Sequence, residues 1–163
     1  MKTLSLNHNK IKSLPNSIGQ LGKLEVLELA TEKELHHLPE SFGGLRKLKS
    51  LKFGEWQLYS LPKSFGRLKS LAFLSITASR LKELPKNFGK LKKLKELFLR
   101  KNRLISLPIN FGKLKNLERI NLLENELTNL PKSFGKLKKL EHLDLGLNKL
   151  SSLPKNFGKL KNL

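Results

Sequence analysis

The side chains that could take part in catalysis or metal binding are few in this 163-residue chain, and they are poorly grouped. There is no cysteine, so disulfides and thiolate metal sites are excluded. His36 and His37 are sequence neighbours whose side chains diverge if the backbone is extended. His8 and His142 lie near opposite ends of the sequence, and no spacing supplies a third ligand. We therefore predict no metal site.

An acidic group toward the C-terminus is the other candidate, comprising Glu118, Glu124, Glu126, Glu141 and Asp144. These carboxylates could pair with one another or bind Ca²⁺. Arg103, Arg119 and Lys149 are close enough in sequence to neutralise them. No glycine-rich phosphate loop is present, and no spacing enforces a Ser–His–Asp set. We predict a protein that is not an enzyme and needs no cofactor.

The dominant pattern is a 23-residue repeat, whose copy at 140–162 reads LEHLDLGLNKLSSLPKNFGKLKN. Its apolar positions are Leu140, Leu143, Leu145, Leu150, Leu153, Phe157 and Leu160. The template divides the chain into copies at 1–23, 24–47, 48–70, 71–93, 94–116, 117–139 and 140–162, with one inserted residue between 29 and 35. A fixed period of this size predicts a solenoid. We expect a single domain over 1–163.

The two halves of each copy predict different elements. L-x-x-L-x-L alternates apolar and polar residues, which is typical of a short half-buried strand. In L-P-x-x-F-G, we expect the proline at the first helical position and the glycine as the stop of a single 3₁₀ or α turn. The predicted fold is an α/β right-handed solenoid of seven coils. Its parallel sheet would be concave, with the short turns on the convex side.

The repeat resembles the leucine-rich repeat signature L-x-x-L-x-L-x-x-N-x-L, present as LKELFLRKNRL at 94–104. The second half, L-P-x-x-F-G-x-L, is similar to the bacterial 23-residue class found in leptospiral leucine-rich repeat proteins. The resemblance implies a non-enzymatic scaffold that binds a protein on its concave face. It also implies a secreted or surface-exposed parent protein, although this chain carries no signal peptide pattern and no apolar run of ~18 residues that could cross a membrane.

The ends of the sequence cut through the repeat without a polar cap. Solenoids normally need capping repeats for solubility. We therefore expect a fragment or a small uncapped member of a family with longer repeat arrays. End-to-end association of copies is a further possibility.

A repeated asparagine is expected to be buried and to satisfy backbone groups at the turn after each strand. It occurs as Asn9, Asn102, Asn125 and Asn148. In the second to fourth copies it is replaced by Glu32 or Lys33, by Trp56 and by Ser79. We expect a bulge around 30–35, with Trp56 capping it or exposed beside it. Trp56, Tyr59 and the 30–34 loop are either a binding edge or a degenerate stretch with a different packing.

Phe73 and Phe98 fall on adjacent predicted strands at positions that face solvent. Exposed aromatic groups are candidates for an interaction hot spot, although single exposed phenylalanines are ordinary. The predicted partner-binding residues are Phe73, Phe98, Trp56, Tyr59, Val26, Arg100 and Leu123.

The net charge of +20 raises a second possibility, binding of a polyanion. The polar positions after the prolines hold 19 lysines and arginines, opposed only by Glu40. This basic surface would be the convex side. The residues are mostly lysine, evenly spread and without interleaved aromatics, a pattern unlike that of nucleic-acid sites. The alternative function is a polyanion or host-surface adhesin, and the simpler interpretation is solubility.

Overall fold

The computed structural model describes residues 2–30, 35–54 and 57–163. In these segments, seven strands form one parallel sheet in chain order. They are β1 (Thr3–Ser5), β2 (Val26–Ala30), β3 (Ser50–Gly54), β4 (Phe73–Thr77), β5 (Glu96–Phe98), β6 (Arg119–Asn121) and β7 (His142–Asp144). Each strand is followed by a 3₁₀ helix: η1 (Asn16–Gln20), η2 (Glu40–Gly44), η3 (Lys63–Arg67), η4 (Phe88–Lys90), η5 (Phe111–Lys113), η6 (Lys132–Lys136) and η7 (Phe157–Lys159).

The strand register aligns the same repeat position in every coil. Leu51 pairs with Leu27 on one side and with Leu74 on the other, and Leu97 continues the row. These leucines are fully buried, and together with the leucines and phenylalanines of the other repeat positions they form one continuous core. The structure confirms the predicted architecture, a parallel sheet on one side and short turns on the other. We call these two surfaces the sheet face and the turn face.

A stack of phenylalanine rings runs through the turn side of the core. It consists of Phe42, Phe65, Phe88, Phe111, Phe134 and Phe157. Successive ring centroids are 5.8 to 6.3 Å apart, and successive ring planes are within 11° of parallel. Neighbouring strands in a sheet are only about 4.7–4.9 Å apart. The ring centroids are therefore farther apart than neighbouring strands of a sheet, as expected for a solenoid whose sheet face is the concave side.

The repeat glycine and proline differ from their predicted roles. Pro62 lies before the 3₁₀ helix with an extended backbone, and Gly89 lies inside its helix rather than after it. No glycine in the described segments has a positive φ. The glycine instead permits close packing, because a Cβ on Gly112 would collide with the carbonyl oxygen of Ser133 in the next coil. The prediction of a helix stop was wrong because contact between coils, which sequence spacing does not reveal, sets the requirement.

The repeated asparagine links neighbouring coils through hydrogen bonds. Asn102 is buried, and its Oδ1 accepts from the Leu81 N–H of the preceding coil at 3.2 Å. Its Nδ2 donates to the carbonyl oxygen of Ile76, also in the preceding coil, at 2.8 Å, and to that of Leu99 at 3.0 Å. Asn125 repeats this arrangement one coil later. One amide therefore satisfies backbone groups of two coils, as buried polar groups require.

We call this series of repeated asparagines the asparagine ladder. It changes at the first coil and in the middle of the chain. Asn9 is exposed, unlike the buried state expected from sequence, because the first coil packs against another coil on one side only. Asn148, in the last coil, is half-buried. Ser79 performs part of the asparagine's role, since its Oγ accepts from the Leu58 N–H at 3.0 Å. Glu32, Lys33 and Trp56 lie outside the described residues, and so do residues 31–34 of the bulge expected around 30–35.

The residue before the ladder position adopts a left-handed backbone conformation. Described examples are His8, Ala78, Lys101, Glu124 and Leu147, with φ between 50° and 60°. Such a conformation costs a non-glycine residue roughly 1–2 kcal/mol. Hydrogen bonds to the next coil accompany it, such as the Ala78 N–H donating to the Arg100 carbonyl oxygen at 2.9 Å. Contacts between coils therefore hold a backbone geometry that the sequence disfavours locally.

The glycine contact can be tested with Gly112→Ala and the matched variant Gly158→Ala. A Cβ at Gly112 meets the backbone of the next coil, whereas a Cβ at Gly158 meets no atom within 4 Å. We expect Gly112→Ala to lower the free energy of unfolding by about 1–3 kcal/mol or more, as overpacking does. Gly158→Ala should change it little. Urea denaturation followed by circular dichroism measures both, and equal effects would contradict the proposed packing role.

The ladder can be tested with Asn125→Ala and Asn9→Ala. Truncating buried Asn125 leaves the Leu104 N–H without its side-chain acceptor and removes one of the two side-chain donors to the Leu99 carbonyl. We expect a loss of about 1–3 kcal/mol in the free energy of unfolding. Asn9→Ala should cost less, because Asn9 is exposed. A larger loss for Asn9→Ala in the same urea titration would refute the importance of the link between coils.

Candidate functional site

Two aromatic side chains meet on the sheet face. Ser75 of β4 pairs with Phe98 of β5, and Phe73 pairs with Glu96, so the two phenylalanines are diagonal neighbours. Their ring centroids are 5.6 Å apart and the rings are tilted by 48°. Both are half-buried, and the serine between them has only 8% of its surface exposed. The rings therefore form one apolar patch, which we call the Phe patch, rather than two isolated side chains.

The other predicted residues of the sheet face lie within or just beyond the ends of its strands. Val26 is half-buried on β2, and the whole of β3 separates it from the strand of Phe73. Arg100 is exposed beyond the end of β5, where its Nη2 donates to Glu124 Oε1 at 3.0 Å. Leu123 is half-buried beyond the end of β6. Trp56 lies outside the described residues.

Tyr59 belongs to a different surface. It lies between β3 and η3, in the part of each coil that descends from the sheet to the turn, which we call the flank. Its ring centroid is 5.5 Å from that of His36 and 6.0 Å from that of His37. Its hydroxyl accepts from Arg80 Nη1 at 3.3 Å. These side-chain contacts of Tyr59 are therefore with residues outside the Phe patch.

Carboxylates of the acidic group toward the C-terminus form ion pairs with lysines. Lys149 Nζ lies 3.0 Å from Glu126 Oε2, and Lys95 Nζ lies 3.2 Å from Glu118 Oε1. The hydrogen bond from Lys149 lowers the pKa of Glu126. Among the residues that the structure describes, no three histidine or acidic side chains are grouped as metal ligands. Exposed pairs of this kind contribute little to stability, so they mainly set the charge pattern of the surface.

Some lysines of the turn face have a structural role that sequence reasoning missed. The Nζ atoms of Lys92, Lys115 and Lys138 donate to the carbonyl oxygens of Lys113, Lys136 and Lys159 at 2.9, 3.2 and 2.7 Å. Each acceptor is the last residue of the next coil's 3₁₀ helix. Burial, and then the positive charge of neighbouring lysines, lowers the pKa of Lys92. The recurrence of lysine directly after a core leucine was the available signal.

A groove on the flank was also missed by sequence reasoning. Its volume is about 730 Å³, and it crosses the second to fourth coils. The lining residues are His37, Leu38, Glu40, Ser60, Leu61, Pro62, Lys63, Glu83, Leu84, Pro85, Lys86 and Asn87. Leucine edges form part of this lining, and Leu38, Leu61 and Leu84 keep 5–7% of their surface exposed while most of the core is fully buried. We call it the flank groove.

Glu40 stabilises the wall of the flank groove. Its Oε1 accepts from the Lys63 N–H at 2.8 Å, and its Oε2 accepts from the Ser64 N–H at 2.9 Å. Both donors belong to the first turn of η3, where backbone N–H groups lack helical partners. Burial raises the pKa of Glu40, but the hydrogen bonds from the two backbone donors lower it and contribute to an opposing effect that exceeds that of burial. The pKa therefore lies below its ordinary value. The only acidic side chain in the turn half of the repeats is therefore already engaged.

The Glu40 contact predicts a pH effect. A carboxylate whose folded-state pKa lies below its unfolded value adds stability above the unfolded pKa. That contribution is lost as pH falls from the ordinary glutamate value of ~4.3 through the lower folded value. We expect Glu40→Gln to flatten the dependence of the urea midpoint on pH below pH ~5, relative to wild type. Glu96→Gln, on the sheet face, is the control, and identical pH profiles for wild type and Glu40→Gln would be inconsistent with the contact.

No helix in the described segments has both the length and the apolar character needed to cross a membrane.

Comparison with protein families gives two matches along the chain. A model described as a leucine-rich repeat region matches residues 1–77, and one described as a leucine rich repeat matches residues 97–150. No curated protein sequence matches the chain.

Solved structures with similar folds include three bacterial-type repeat proteins. A leucine-rich repeat protein of Leptospira interrogans is 33% identical, with a TM-score of 0.73, and the match covers 100% of this chain and 47% of that one. An internalin of Listeria monocytogenes is 22% identical, with a TM-score of 0.82 and coverage of 100% and 46%, and supports the fold alone. The leucine-rich repeat domain of the type III effector XopL is 25% identical, with a TM-score of 0.86 and coverage of 99% and 66%. The chain spans about half the length of the first two.

Proposed function

Because the chain belongs to the leucine-rich repeat family, we propose that it is a scaffold that binds a protein partner on its sheet face. The fold is generally used for interactions between proteins, and its members are typically not enzymes. The sheet face presents side chains from several adjacent strands at fixed spacing, which suits recognition of a second surface. The strands of this face carry both signs of charge, for example Glu96 on β5 and Arg119 on β6.

The Phe patch is the observation that carries the proposal. Phe73 and Phe98 are held together, with ring centroids 5.6 Å apart, on a face otherwise made mostly of polar and charged residues. A rigid aromatic pair binds with little loss of conformational freedom, and aromatic anchors dominate interface energetics. Arg100 and Leu123 lie on the side of the patch toward the C-terminus, where they would form the rim of the contact.

The adhesin alternative uses the turn face and a polyanion such as a glycosaminoglycan or an anionic lipid. Its support is the excess of lysine and arginine on that face. The hydrogen bonds of Lys92, Lys115 and Lys138 to carbonyl oxygens give those three lysines a role within the fold instead. Secretion or surface exposure, and end-to-end association of copies, remain predictions.

The experiment is affinity capture with the purified chain, quantified by mass spectrometry. We expect Phe73→Ser with Phe98→Ser to weaken capture of the specific partner at least ~30-fold, since two hot-spot side chains are lost. Ile105→Ser with Ile109→Ser is the matched control, because these residues are 53% and 87% exposed on another part of the surface. That control should leave capture unchanged.

A charge variant separates the two functions. Lys90, Lys93, Lys113 and Lys136 are changed to glutamate, because no side-chain hydrogen bond of these residues occurs in the described structure and the fold should survive. Capture that persists in the charge variant but is lost in the phenylalanine variant supports the sheet face. Capture that persists in the phenylalanine variant contradicts the proposal. If heparin binding accompanies that result and is lost in the charge variant, the adhesin function is favoured.

A further inference from the structure

The flank groove is lined by backbone N–H and C=O groups that form no hydrogen bond with other described residues. Within residues 35–54 and 57–163, no hydrogen bond engages the backbone N–H or C=O of Ser60, Leu61, Glu83 or Leu84. The cause is local, because the residue before a proline is driven into an extended conformation. Leu61 precedes Pro62, and Leu84 precedes Pro85. Backbone groups of this kind need water or a ligand as partner.

Apolar surface lies directly beside these open backbone groups. The partly exposed edges of Leu38, Leu61 and Leu84 and the rings of Pro62 and Pro85 line the same groove. Its volume of about 730 Å³ falls within the range of ~300–1,000 Å³ that is typical of ligand sites. Such a site can take an apolar side chain together with the backbone that carries it.

The positive charge of the turn face beside the groove favours an acidic ligand. Four charged side chains line it, Glu40, Lys63, Glu83 and Lys86. The carboxylate of Glu40 is already engaged by two backbone N–H groups. Neither lysine forms a salt bridge within the described residues, and Glu83 is the remaining carboxylate. The backbone hydrogen bonds leave the negative charge of Glu40 in place, so the four lining charges sum to zero. The positive potential comes from the basic turn face beside the groove.

We propose that the flank groove is a second binding site, for an extended peptide segment that carries an apolar side chain and a carboxylate. The peptide backbone hydrogen-bonds to the open groups of Ser60–Leu61 and Glu83–Leu84. The apolar side chain packs on the leucine edges, and the carboxylate pairs with Lys63 or Lys86. This site shares no residue with the Phe patch, so the proposal does not depend on the function of the sheet face.

The probe is a library of random peptides displayed on phage and selected on the purified chain. Enriched peptides are synthesised, and their dissociation constants are measured by fluorescence anisotropy. Ser60→Arg fills the groove, and Ser152→Arg places the same side chain at the equivalent repeat position outside it. Lys63→Glu with Lys86→Glu tests the charge, and Lys132→Glu with Lys155→Glu is its control at the equivalent positions.

We expect enriched peptides to combine apolar with acidic residues. Their dissociation constants should rise at least about tenfold in Ser60→Arg and in the Lys63→Glu, Lys86→Glu variant, and stay unchanged in both controls. Circular dichroism verifies that each variant is folded. If Ser60→Arg unfolds, the Lys63→Glu, Lys86→Glu variant alone tests whether peptides bind in the groove.

Three results would overturn the proposal. They are a selection that yields no peptide above background, equal losses in variants and controls, and binding lost only in Phe73→Ser with Phe98→Ser. The last result would support the sheet-face function and contradict binding in the flank groove. The two proposals can therefore be refuted independently.

Discussion

Contact between each coil and the next is the constraint on which the whole structure depends. Gly112 has no room for a Cβ because the backbone of the following coil lies against it. Asn102 finds its acceptor and donor partners in the preceding coil as well as in its own. The phenylalanine rings on the turn side of the core stack on their counterparts in the neighbouring coils. Stability in such a molecule is shared along the row, since one coil alone cannot complete its burial or its hydrogen bonds.

The same constraint explains what the sequence could and could not predict. Core positions such as Leu97 and Phe111 follow from periodicity, because every coil uses them in the same way. The contact between Phe73 and Phe98 could be predicted from the repeat. In a parallel register, residues one repeat apart pair directly, so two residues more make Phe98 the diagonal neighbour of Phe73. The exposure of Asn9 does not follow, since burial depends on how many coils flank it rather than on the repeat motif.

The flank groove and the hydrogen bonds of the turn-face lysines were missed for a related reason. The repeat template leaves positions such as Ser60 and Glu83 free, so only the packed structure reveals the space between them. Likewise, the reach of Lys92 to a carbonyl oxygen depends on the spacing between coils at the turn face. The residues that vary between copies create local surfaces, whereas the repeated residues create the frame. The two proposed recognition surfaces are compatible on one small frame because they use different variable positions.

The ladder hydrogen bonds have a consequence for the evolution of such a molecule. They join residues 21 or 26 positions apart, from one coil to its neighbour. Gene duplication or unequal recombination that adds or deletes a whole unit therefore leaves every remaining junction intact. The Phe patch spans two coils, so such an event inside it would separate the rings, whereas an event elsewhere would lengthen the array and preserve the patch. Array length and recognition could thus diverge independently among descendants of one ancestral gene.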